Sequence, residues 1–432
     1  MREMKNSGVE WIGAIPQDWK TNRLQWHLKE INVSNNPIQT KNILSLTIEA
    51  GVIPYAEKGN QGNKAKEDYS QYKIALPDTL VINSMNVIIG AVGISQYFGC
   101  VSPVYYVFEP IEGTDLRYIY YLFTNTGFQK EMRKYAKGIL EIRLRISSND
   151  MLKRIVPSPP FKEQQRIADY LDKMCAEIDA VLEKTRASIE EYKKLKQAVI
   201  TQAVTKGIRG DRPMKDSGIE WIGDIPGSWE VSSVRYIGQL QNGISKGGEF
   251  FGKGFPFVSY GDVYKNYELP HSVSGLIDTT EDERATYSVE YGDIFFTRTS
   301  ETIEEVGFSC VCKRSIPNAT FAGFIIRLRP FCADEKILTD YAKYYFRGEH
   351  IRAYLVKEMN LVTRASLGQT LLKGMSVIVP PKSAQKEIAE YLDDKCADID
   401  ALVAKKQQYL TEIENYKKSL IYEYVTGKKE VV

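Results

Sequence analysis

The sequence PPFKEQQRIADYLDKMCAEIDAVLEKTRASIEEYKKLKQAVITQAVT occupies residues 159–205, and the related sequence PPKSAQKEIAEYLDDKCADIDALVAKKQQYLTEIENYKKSLIYEYVT occupies residues 380–426. The two stretches align without a gap, so Pro159 matches Pro380 and Thr205 matches Thr426. Both begin with prolines, contain no glycine and are rich in good helix formers, so each predicts one continuous helix. At 1.5 Å per residue, each helix would be about 70 Å long, which exceeds a typical globular domain.

The apolar residues of both stretches mostly recur every three or four positions. They are Ile167, Leu171, Met174, Ile178, Val181, Ile189, Tyr192 and Val199 in the first stretch, and Ile388, Leu392, Ile399, Leu402, Leu410, Ile413 and Leu420 in the second. A stripe this narrow is typical of a coiled coil, and a single helix cannot bury it alone. The simplest partner for each helix is the other one, although two unrelated surface helices would show similar spacing.

A second repeat opens each half of the chain. Residues 6–16 read NSGVEWIGAIP and residues 216–226 read DSGIEWIGDIP, with eight of eleven positions identical. Trp19 is matched by Trp229 in the same alignment. The chain is therefore a tandem duplication whose second half is longer between the opener and the helix. We expect the tryptophan and isoleucine residues of the opener to anchor the core.

The region between opener and helix differs between the halves but has the same order of elements. Apolar runs at 74–95 and 99–110, and at 255–264, 291–300 and 321–330, predict strands. Amphipathic runs at 115–138 and 339–359 predict one helix in each half. Residues 206–216 form a polar linker with Gly and Pro. Each half should thus be a mixed α/β (α+β) domain that ends in a long helix.

Composition excludes several classes of protein. The formal charge of +2 over 432 residues gives no overall preference for nucleic acid. No apolar run approaches the ~20 residues of a membrane helix, so we expect a cytoplasmic protein. Cys175 and Cys396 are equivalent positions of the two helices and should pack beside the stripe, while Cys310 and Cys312 lack a second pair at metal-like spacing. We expect no metal site.

Local charge does suggest a polyanionic partner. Residues 130–154 carry a net charge of +5 and residues 343–373 carry +4, and Arg143 and Arg364 are separated by the same offset as the two helices. Two equivalent basic clusters could contact DNA phosphates at two places, although solvated helix faces would look the same. Arg, Lys, Asn and Gln side chains can also read base edges. The DNA-binding candidates are Lys58, Asn60, Gln61, Asn63, Lys64, Asn83, Asn86, Arg143 and Arg145 in the first half, and Lys246, Tyr260, Arg298, Thr299 and Arg364 in the second.

Two other functions fit parts of the sequence. Ser158–Phe161 reads SPPF, which resembles the catalytic loop of DNA amino-methyltransferases. The duplicate reads Val379, Pro380, Pro381, Lys382, and no cofactor loop with the right glycine spacing follows a strand, so helix initiation explains the tetrapeptide better. A coiled-coil adaptor without DNA binding is the other alternative, but it has no evident need for two unlike domains. We identify no catalytic residues and no P-loop.

As a whole, the chain resembles the specificity subunit of type I restriction-modification enzymes. The resemblance rests on the E-W-I-G-x-I-P openers at Glu10 and Glu220, on the Pro-Pro-x-x-x-Gln helix starts that end at Gln164 and Gln385, and on the phrases LVINSMNVIIGAVGIS, VSPVYYVF and GDIFFTRTSE. One departure is Ala384, which stands where the first helix has Glu163.

The resemblance implies two target-recognition domains, one for each half of an asymmetric, bipartite DNA site. The two helices would pair antiparallel as a spacer, which gives an internal pseudo-twofold axis. The implied boundaries are 1–158 for the first recognition domain, 159–205 for the first spacer helix, 206–216 for the linker, 217–379 for the second recognition domain, and 380–432 for the second spacer helix and tail.

The resemblance also implies that other chains supply catalysis. Two methyltransferase subunits carrying S-adenosylmethionine, and restriction subunits using ATP and Mg, would join this chain on double-stranded DNA, while this chain holds no cofactor itself. Residues expected to form the spacer helices and the subunit interface are Gln164, Ile167, Leu171, Ile178, Gln385, Ile388, Leu392 and Ile399.

Overall fold

The computed structural model describes residues 2–59, 65, 68–138, 144–210, 212–300, 305–358 and 365–431. The chain forms two compact units. The first unit is Met1–Arg186 with Gln408–Val432, and the second is Ala187–Gln407. Each unit therefore contains one strand-rich region, the first part of its own long helix and the last part of the long helix from the other half.

The first unit is built on a four-stranded antiparallel sheet with the strand order β4-β11-β8-β9. Phe108 of the central strand pairs with Glu30 on one side and with Leu80 on the other. The strands of this unit are β1 (Met4–Asn6), β2 (Ala14–Pro16), β3 (Lys20–Arg23), β4 (Leu28–Ile31), β5 (Leu44–Thr47), β6 (Gly51–Pro54), β7 (Lys73–Ala75), β8 (Thr79–Asn83), β9 (Val92–Ser95), β10 (Gly99–Val101), β11 (Tyr105–Pro110) and β12 (Ile155–Ser158).

The helices of the first unit differ in one respect from the prediction. They are α1 (Leu116–Thr124), α2 (Thr126–Arg133), α3 (Ser148–Leu152) and the start of α4 (Phe161–Lys206). The single helix predicted at 115–138 is wrong, because Asn125 adopts an extended conformation between α1 and α2. Its side chain accepts hydrogen bonds from the backbone N–H groups of Gly127 and Phe128, which starts a new helix.

The second unit repeats the sheet of the first with the order β16-β23-β19-β21. Since β16 follows the opener as β4 does, and β23 is central as β11 is, the two sheets have the same topology. The strands are β13 (Met214–Asp216), β14 (Asp224–Pro226), β15 (Glu230–Ser233), β16 (Gly238–Asn242), β17 (Phe251–Val258), β18 (Gly275–Ile277), β19 (Ile294–Thr297), β20 (Thr299–Ser300), β21 (Ser309–Val311), β22 (Thr320–Phe321), β23 (Ile325–Pro330), β24 (Ala365–Ser366) and β25 (Ser376–Val379).

Two sequence predictions for the second unit need correction. Its helices are α5 (Tyr260–Lys265), α6 (Glu281–Thr286), α7 (Thr339–Tyr345), α8 (Glu349–Glu358), α9 (Gln369–Gly374) and α10 (Lys382–Val425), the last part of which lies in the first unit. The strand predicted at 255–264 ends at Val258, because Ser259 and Asp262 form a capping box that starts α5. The helix predicted at 339–359 is divided into α7 and α8.

The duplicated opener forms the same small hairpin in both units. Strand β1 pairs antiparallel with β2, and β13 pairs with β14 in the same register. In the openers, Ile15 and Ile225 are 1% exposed or less, and Trp11 and Trp221 are partly buried and pack against the two cores. Trp19 and Trp229, just after the openers, are fully buried. The expectation that these residues anchor the core is therefore confirmed.

The long helices start almost where the sequence predicts, and buried glutamines hold their starts in place. Gln164 accepts a hydrogen bond from the Asp115 N–H at 3.0 Å and donates to the Pro159 carbonyl at 2.9 Å. Gln385 accepts from the Leu338 N–H at 2.7 Å and donates to the Pro380 carbonyl at 2.8 Å. Each glutamine therefore ties the first turn of its helix to the loop before α1 or α7.

Each core is completed by the end of the helix that begins in the other half of the sequence. In the first unit, the Tyr118 hydroxyl donates to the carbonyl of Val425, near the end of α10, at 2.9 Å. In the second unit, the Tyr341 hydroxyl donates to the carbonyl of Val204, near the end of α4, at 3.0 Å. Both tyrosines are fully buried.

Within each unit the segments of α4 and α10 run in opposite directions. In the first unit Asp179 pairs with Lys417 at 2.6 Å, and in the second Asp400 pairs with Lys196 at 2.6 Å. The duplication relates these two ion pairs, because Asp179 matches Asp400 in the repeated helices and Lys196 matches Lys417. Pairing of the helices as a coiled coil along their whole length stays a prediction.

The stripe predicted on the helices is buried at most of its positions. Ile167, Leu171 and Ile178 are buried in the first unit, and Ile388, Leu392 and Ile399 are buried in the second. Val181 and Leu402 are wrongly assigned to it, because 40% and 44% of their surfaces are exposed. On α4 the adjacent Leu182 is buried instead, at 5% exposure.

The two halves differ in one partly buried hydrogen bond to an equivalent tryptophan. The indole N–H of Trp19 donates to Glu163 Oε2 at 2.8 Å, and Arg2 also binds this carboxylate. The equivalent of Glu163 in the second half is Ala384, and the Trp229 indole N–H has no partner among the described residues. Ala384 therefore leaves the second core without the acceptor that Glu163 provides in the first.

We predict that Glu163→Ala lowers the free energy of unfolding by about 1–3 kcal/mol, because it leaves a buried indole N–H without an acceptor. Urea unfolding followed by tryptophan fluorescence measures this change. Glu163→Gln, which keeps an acceptor oxygen, is the matched control and should lose less. Equal losses in the two variants would show that the hydrogen bond to Trp19 is not the cause.

A second prediction concerns His350 in α8, whose ring stacks on Trp221 at 6.1 Å and packs against Tyr345 at 4.8 Å. Neither ring nitrogen has a partner among the described residues, and burial lowers the pKa of His350 to about 3. Because the folded-state pKa lies below the unfolded one, the unfolded chain binds the extra proton between these two values. The neutral His350 ring therefore contributes to the free energy of unfolding at neutral pH, and this contribution is lost as the pH falls below the unfolded pKa of about 6.5.

We expect wild type to lose about 2 kcal/mol more than His350→Leu between about pH 7.5 and about pH 5, from one proton bound only by the unfolded chain. Urea unfolding at the two pH values gives the difference. His271→Leu, at an exposed position, serves as the control. Parallel pH dependence in wild type and His350→Leu would contradict the assignment.

Candidate nucleic-acid interface

Three of the predicted DNA-binding residues of the first unit line one open cavity. Lys58, Asn83 and Asn86 surround it together with Tyr55 and Tyr105, and its volume is about 440 Å³. Asn83 ends β8, and Asn86 precedes a short 3-10 helix at Val87–Ile89. The predicted Asn60, Gln61, Asn63 and Lys64 lie outside the described residues.

The turn after β8 sets the direction of these side chains. The Asn83 carbonyl accepts from the Asn86 N–H at 3.1 Å, and Asn83 Oδ1 accepts from the Met85 N–H at 3.1 Å. Asn83 is only 7% exposed. Its side-chain oxygen is therefore used internally, which leaves the amide nitrogen as the group with which it could contact a ligand.

Arg145 contacts the same turn after β8. Its Nε donates to Ser84 Oγ at 3.2 Å, next to Asn83 in the chain, and its side chain is otherwise exposed. The backbone of Arg145 pairs with Lys137, with N···O distances of 2.8 and 2.9 Å. The structure thus brings Arg145 to the turn that carries Asn83, whereas Arg143 lies outside the described residues.

In the second unit, Tyr260 contacts the segment that carries Arg298 and Thr299. Tyr260 starts α5, and its ring stacks on Tyr264 at 5.8 Å. Burial raises the pKa of Tyr260, while hydrogen bonds with Thr297 and Ser300 oppose that shift. These two residues flank Arg298 and Thr299 in sequence, so the half-buried Tyr260 side chain lies against the segment that carries both candidates.

Lys246 does not belong to this surface. Its ammonium pairs with Glu283 Oε2 at 2.6 Å and donates to the Asp278 carbonyl at 2.9 Å, and its side chain is 14% exposed. The pair lowers the pKa of Glu283, chiefly through the hydrogen bond from Lys246. Since this ion pair occupies the ammonium, base reading by Lys246 would require the pair to break. The partner is 37 residues away in sequence, so no local pattern showed it.

The second basic cluster is also less available for phosphates than its formal charge suggests. Arg347 is 8% exposed and donates to the carbonyls of Ser309, Val263, Tyr264 and Asn266, and burial lowers its pKa. Lys343 pairs with Asp393, and Lys357 pairs with Glu220. Arg347 and Lys343 therefore stabilise the fold, and Arg364 lies outside the described residues.

Sequence reasoning missed a duplicated bond between domain and helix. Asp172 of α4 accepts a hydrogen bond from the Tyr121 hydroxyl at 2.7 Å, and Asp393 of α10 accepts one from Tyr344 at 2.7 Å. The aspartates occupy equivalent positions of the repeated helices, and the tyrosines match when the alignment is shifted by two positions. That repetition was a signal that could have identified them.

The predicted helix-interface residues have a role within their own units. Gln164 and Gln385 are 2% and 0% exposed and their amide groups are bonded to backbone, so they offer no surface to another chain. In the SPPF stretch, Ser158 is the last residue of β12 and accepts from Asn22 Nδ2 at 3.1 Å, while Phe161 starts α4. This is a strand end followed by a helix start, so the amino-methyltransferase alternative is not favoured.

Two further observations concern the buried cysteines and the hydropathy of the helices. Cys310 and Cys312 are buried thiols, and burial raises the pKa of Cys312 to about 12. Among the described residues, no group of three or more His, Cys, Asp or Glu side chains could hold a metal ion. None of the helices in the described ranges has the length and hydropathy needed to span a membrane.

Comparison with curated proteins identifies relatives over much of the chain. The chain is 23% identical over 316 residues to the StySPI specificity subunit of Salmonella potsdam, covering 72% of this chain and 65% of that one. It is 24% identical over 279 residues to the EcoKI specificity subunit of Escherichia coli K12, covering 63% and 57%. The chain thus spans less than two thirds of the length of these two relatives. The MjaVIII specificity subunit of Methanocaldococcus jannaschii is 25% identical over 322 residues, covering 73% and 71%.

Solved structures show a similar fold. A chain from a study of complex assembly and conformational transition of the type I R-M system matches with a TM-score of 0.72 at 14% identity, covering 96% of this chain and 99% of that chain. The HsdS subunit from Thermoanaerobacter tengcongensis matches with a TM-score of 0.50, also at 14% identity, covering 96% and 98%. At this identity the likeness concerns the fold alone.

A family model for the type I restriction modification DNA specificity domain matches the chain twice, at residues 16–191 and 226–414. Each match covers one strand-rich region and most of the long helix that follows it in sequence. The two matches agree with the duplication, the shared sheet topology and the repeated helix anchors. This chain therefore belongs to the family of type I restriction-modification DNA specificity proteins.

Proposed function

We propose that this chain is the DNA specificity subunit of a type I restriction-modification system and reads a bipartite, asymmetric DNA target. The observation that carries the proposal is the contrast between a repeated frame and unlike polar surfaces. The sheet order, the glutamine anchors and the interhelical ion pair recur in both units. The candidate readers do not recur, since one unit offers Asn83, Asn86 and Arg145 and the other offers Tyr260, Arg298 and Thr299.

Their chemistry suits direct reading in the major groove. Arginine can bind the O6 and N7 acceptors of guanine in a bidentate manner, and asparagine amides suit adenine. Exposed lysines and arginines beside these residues would contact phosphates and set the position on the duplex without reading sequence. Because the two units carry different readers, each would select a different half-site.

Catalysis in this proposal belongs to partner chains. Two methyltransferase subunits would bring S-adenosylmethionine, and restriction subunits would bring ATP and Mg, in a cytoplasmic complex on double-stranded DNA. In the proposal this chain supplies the recognition surfaces and the two long helices. This chain would act by positioning its partners, since DNA binding by this chain would determine which adenines the methyltransferase subunits reach.

The experiment that tests this function is single-molecule sequencing of methylated adenine in DNA from cells that express this chain with a cognate methyltransferase. We expect a two-part asymmetric motif that is absent when the methyltransferase is expressed alone. Assembly of the complex without any methylated motif would contradict the proposal.

A finer prediction assigns each unit to one half-site. Arg298→Ala should relax selection in one half of the motif, and Arg145→Ala should affect only the other half. Loss of one bidentate base contact costs about 1–3 kcal/mol, or roughly a 5- to 150-fold loss of discrimination. Methylation motifs of the two variants measure this. A change in both half-sites from one substitution would contradict the assignment of one half-site to each unit.

The helices are predicted to set the distance between the half-sites. Removal of one heptad from α4 and one from α10 at the same level shortens each helix by about 10 Å, which corresponds to roughly three base pairs. We expect a shorter spacer in the methylated motif with both half-sites unchanged. Removal of a heptad from α4 alone, which breaks the pairing register, is the control and should abolish methylation.

A further inference from the structure

The open cavity of the first unit is lined by polar side chains that the fold leaves without partners. Ser45 of β5 and Asn83 of β8 both line it and are only 8% and 7% exposed. Among the described residues, the Ser45 hydroxyl and the Asn83 amide nitrogen have no hydrogen-bond partner. Buried polar groups are almost always hydrogen-bonded, so two unpaired ones at the same cavity point to a ligand.

The remaining wall of the cavity suits a flat ring. Tyr55 and Tyr105 line it together with Leu44 and Leu46. Burial raises the pKa of Tyr105, so its hydroxyl stays protonated as a donor, and it has no partner in the described part of the chain. The volume of about 440 Å³ lies in the range of roughly 300–1,000 Å³ that is usual for small-molecule pockets, which combine apolar walls with a few polar groups.

The second unit closes the equivalent corner of its sheet. Thr297 ends β19 as Asn83 ends β8. Ile325 lies opposite Thr297, in the place that Tyr105 has opposite Asn83. Both residues are fully buried, and the Thr297 hydroxyl accepts from the Phe308 N–H at 2.9 Å. The cavity is therefore not part of the repeated frame but a feature that distinguishes the first unit.

The proposed function requires one base of each half-site to leave the duplex. Adenine must be extruded before a methyltransferase can reach its amino group, and its partner thymine is then unpaired. A base that is already unpaired costs least to move out of the stack. Thymine carries two carbonyl oxygens, which need donors, and it has no amino group.

We propose that the cavity beside β5, β8 and β11 binds the thymine opposite the target adenine of the half-site that the first unit reads. The Asn83 amide nitrogen and the hydroxyls of Ser45 and Tyr105 would donate to its carbonyl oxygens. The aromatic and aliphatic wall would contact its ring. This inference rests on the proposed function.

The test uses the full-length chain co-purified with its cognate methyltransferase, bound to S-adenosylhomocysteine so that no methyl transfer occurs. Fluorescence anisotropy measures the affinity for duplexes that carry the methylated motif. In one half-site at a time, the thymine opposite the target adenine is replaced by difluorotoluene, which keeps its shape and lacks both carbonyl oxygens. We expect wild type to lose about tenfold in affinity at the half-site of the first unit, because the donors of the cavity are left unpaired.

The double variant Ser45→Ala/Tyr105→Phe should lose about threefold or less from the same replacement, since two of the three donors are already absent. At the other half-site, wild type and variant should respond alike. Tyr97→Phe, which removes a tyrosine hydroxyl outside the cavity, is the matched control and should behave as wild type. Circular dichroism checks that each variant is folded.

Equal losses in wild type and the double variant at both half-sites would overturn the inference. It would also fail if the two proteins differed to the same extent at both half-sites, because the cavity belongs to one unit. Failure of wild type to bind the unmodified motif would instead count against the proposed function.

Discussion

Neither unit can complete its core without the end of a helix that begins in the other half of the sequence. The buried hydroxyls of Tyr118 and Tyr341 bind carbonyls at Val425 and Val204, where the last turns of α10 and α4 pack into the cores. A buried hydroxyl without a partner would cost about 1–3 kcal/mol. The long helices therefore belong to the cores, and a change at a helix end should affect the domain that receives it.

The repeated frame is fixed by polar bonds as well as by apolar packing. The amide groups of Gln164 and Gln385 are hydrogen-bonded at the helix starts, and Asp172 and Asp393 accept from tyrosine hydroxyls about two turns later. Such bonds have directional geometry, so they fix how each helix leaves its domain more strictly than apolar contact does.

Charge counted along the sequence proved a weaker guide than the repeat. Arg347 is enclosed by backbone carbonyls, and Lys246 and Lys343 are paired with carboxylates. Each of these cations stabilises the fold through its bonds to protein groups, because a buried cation must be hydrogen-bonded or paired. The candidates that keep a place at the interface are those on turns and strand ends, such as Asn86, Arg145 and Arg298.

The sequence by itself determined the duplication, the two long helices, the core tryptophans and the family, because periodicity and internal repetition are local or directly comparable features. It also singled out Asn83, Asn86 and Arg145, which the structure brings together at one turn, and their contact with DNA stays a prediction. Only the tertiary structure decided that Lys246 is paired with Glu283 and that Arg347 is bonded to backbone carbonyls. It also decided that Trp229 lacks the acceptor that Trp19 has, and that Trp26 and Tyr236 stay exposed. These properties depend on partners far away in the chain, and no local pattern encodes which distant group a side chain will meet.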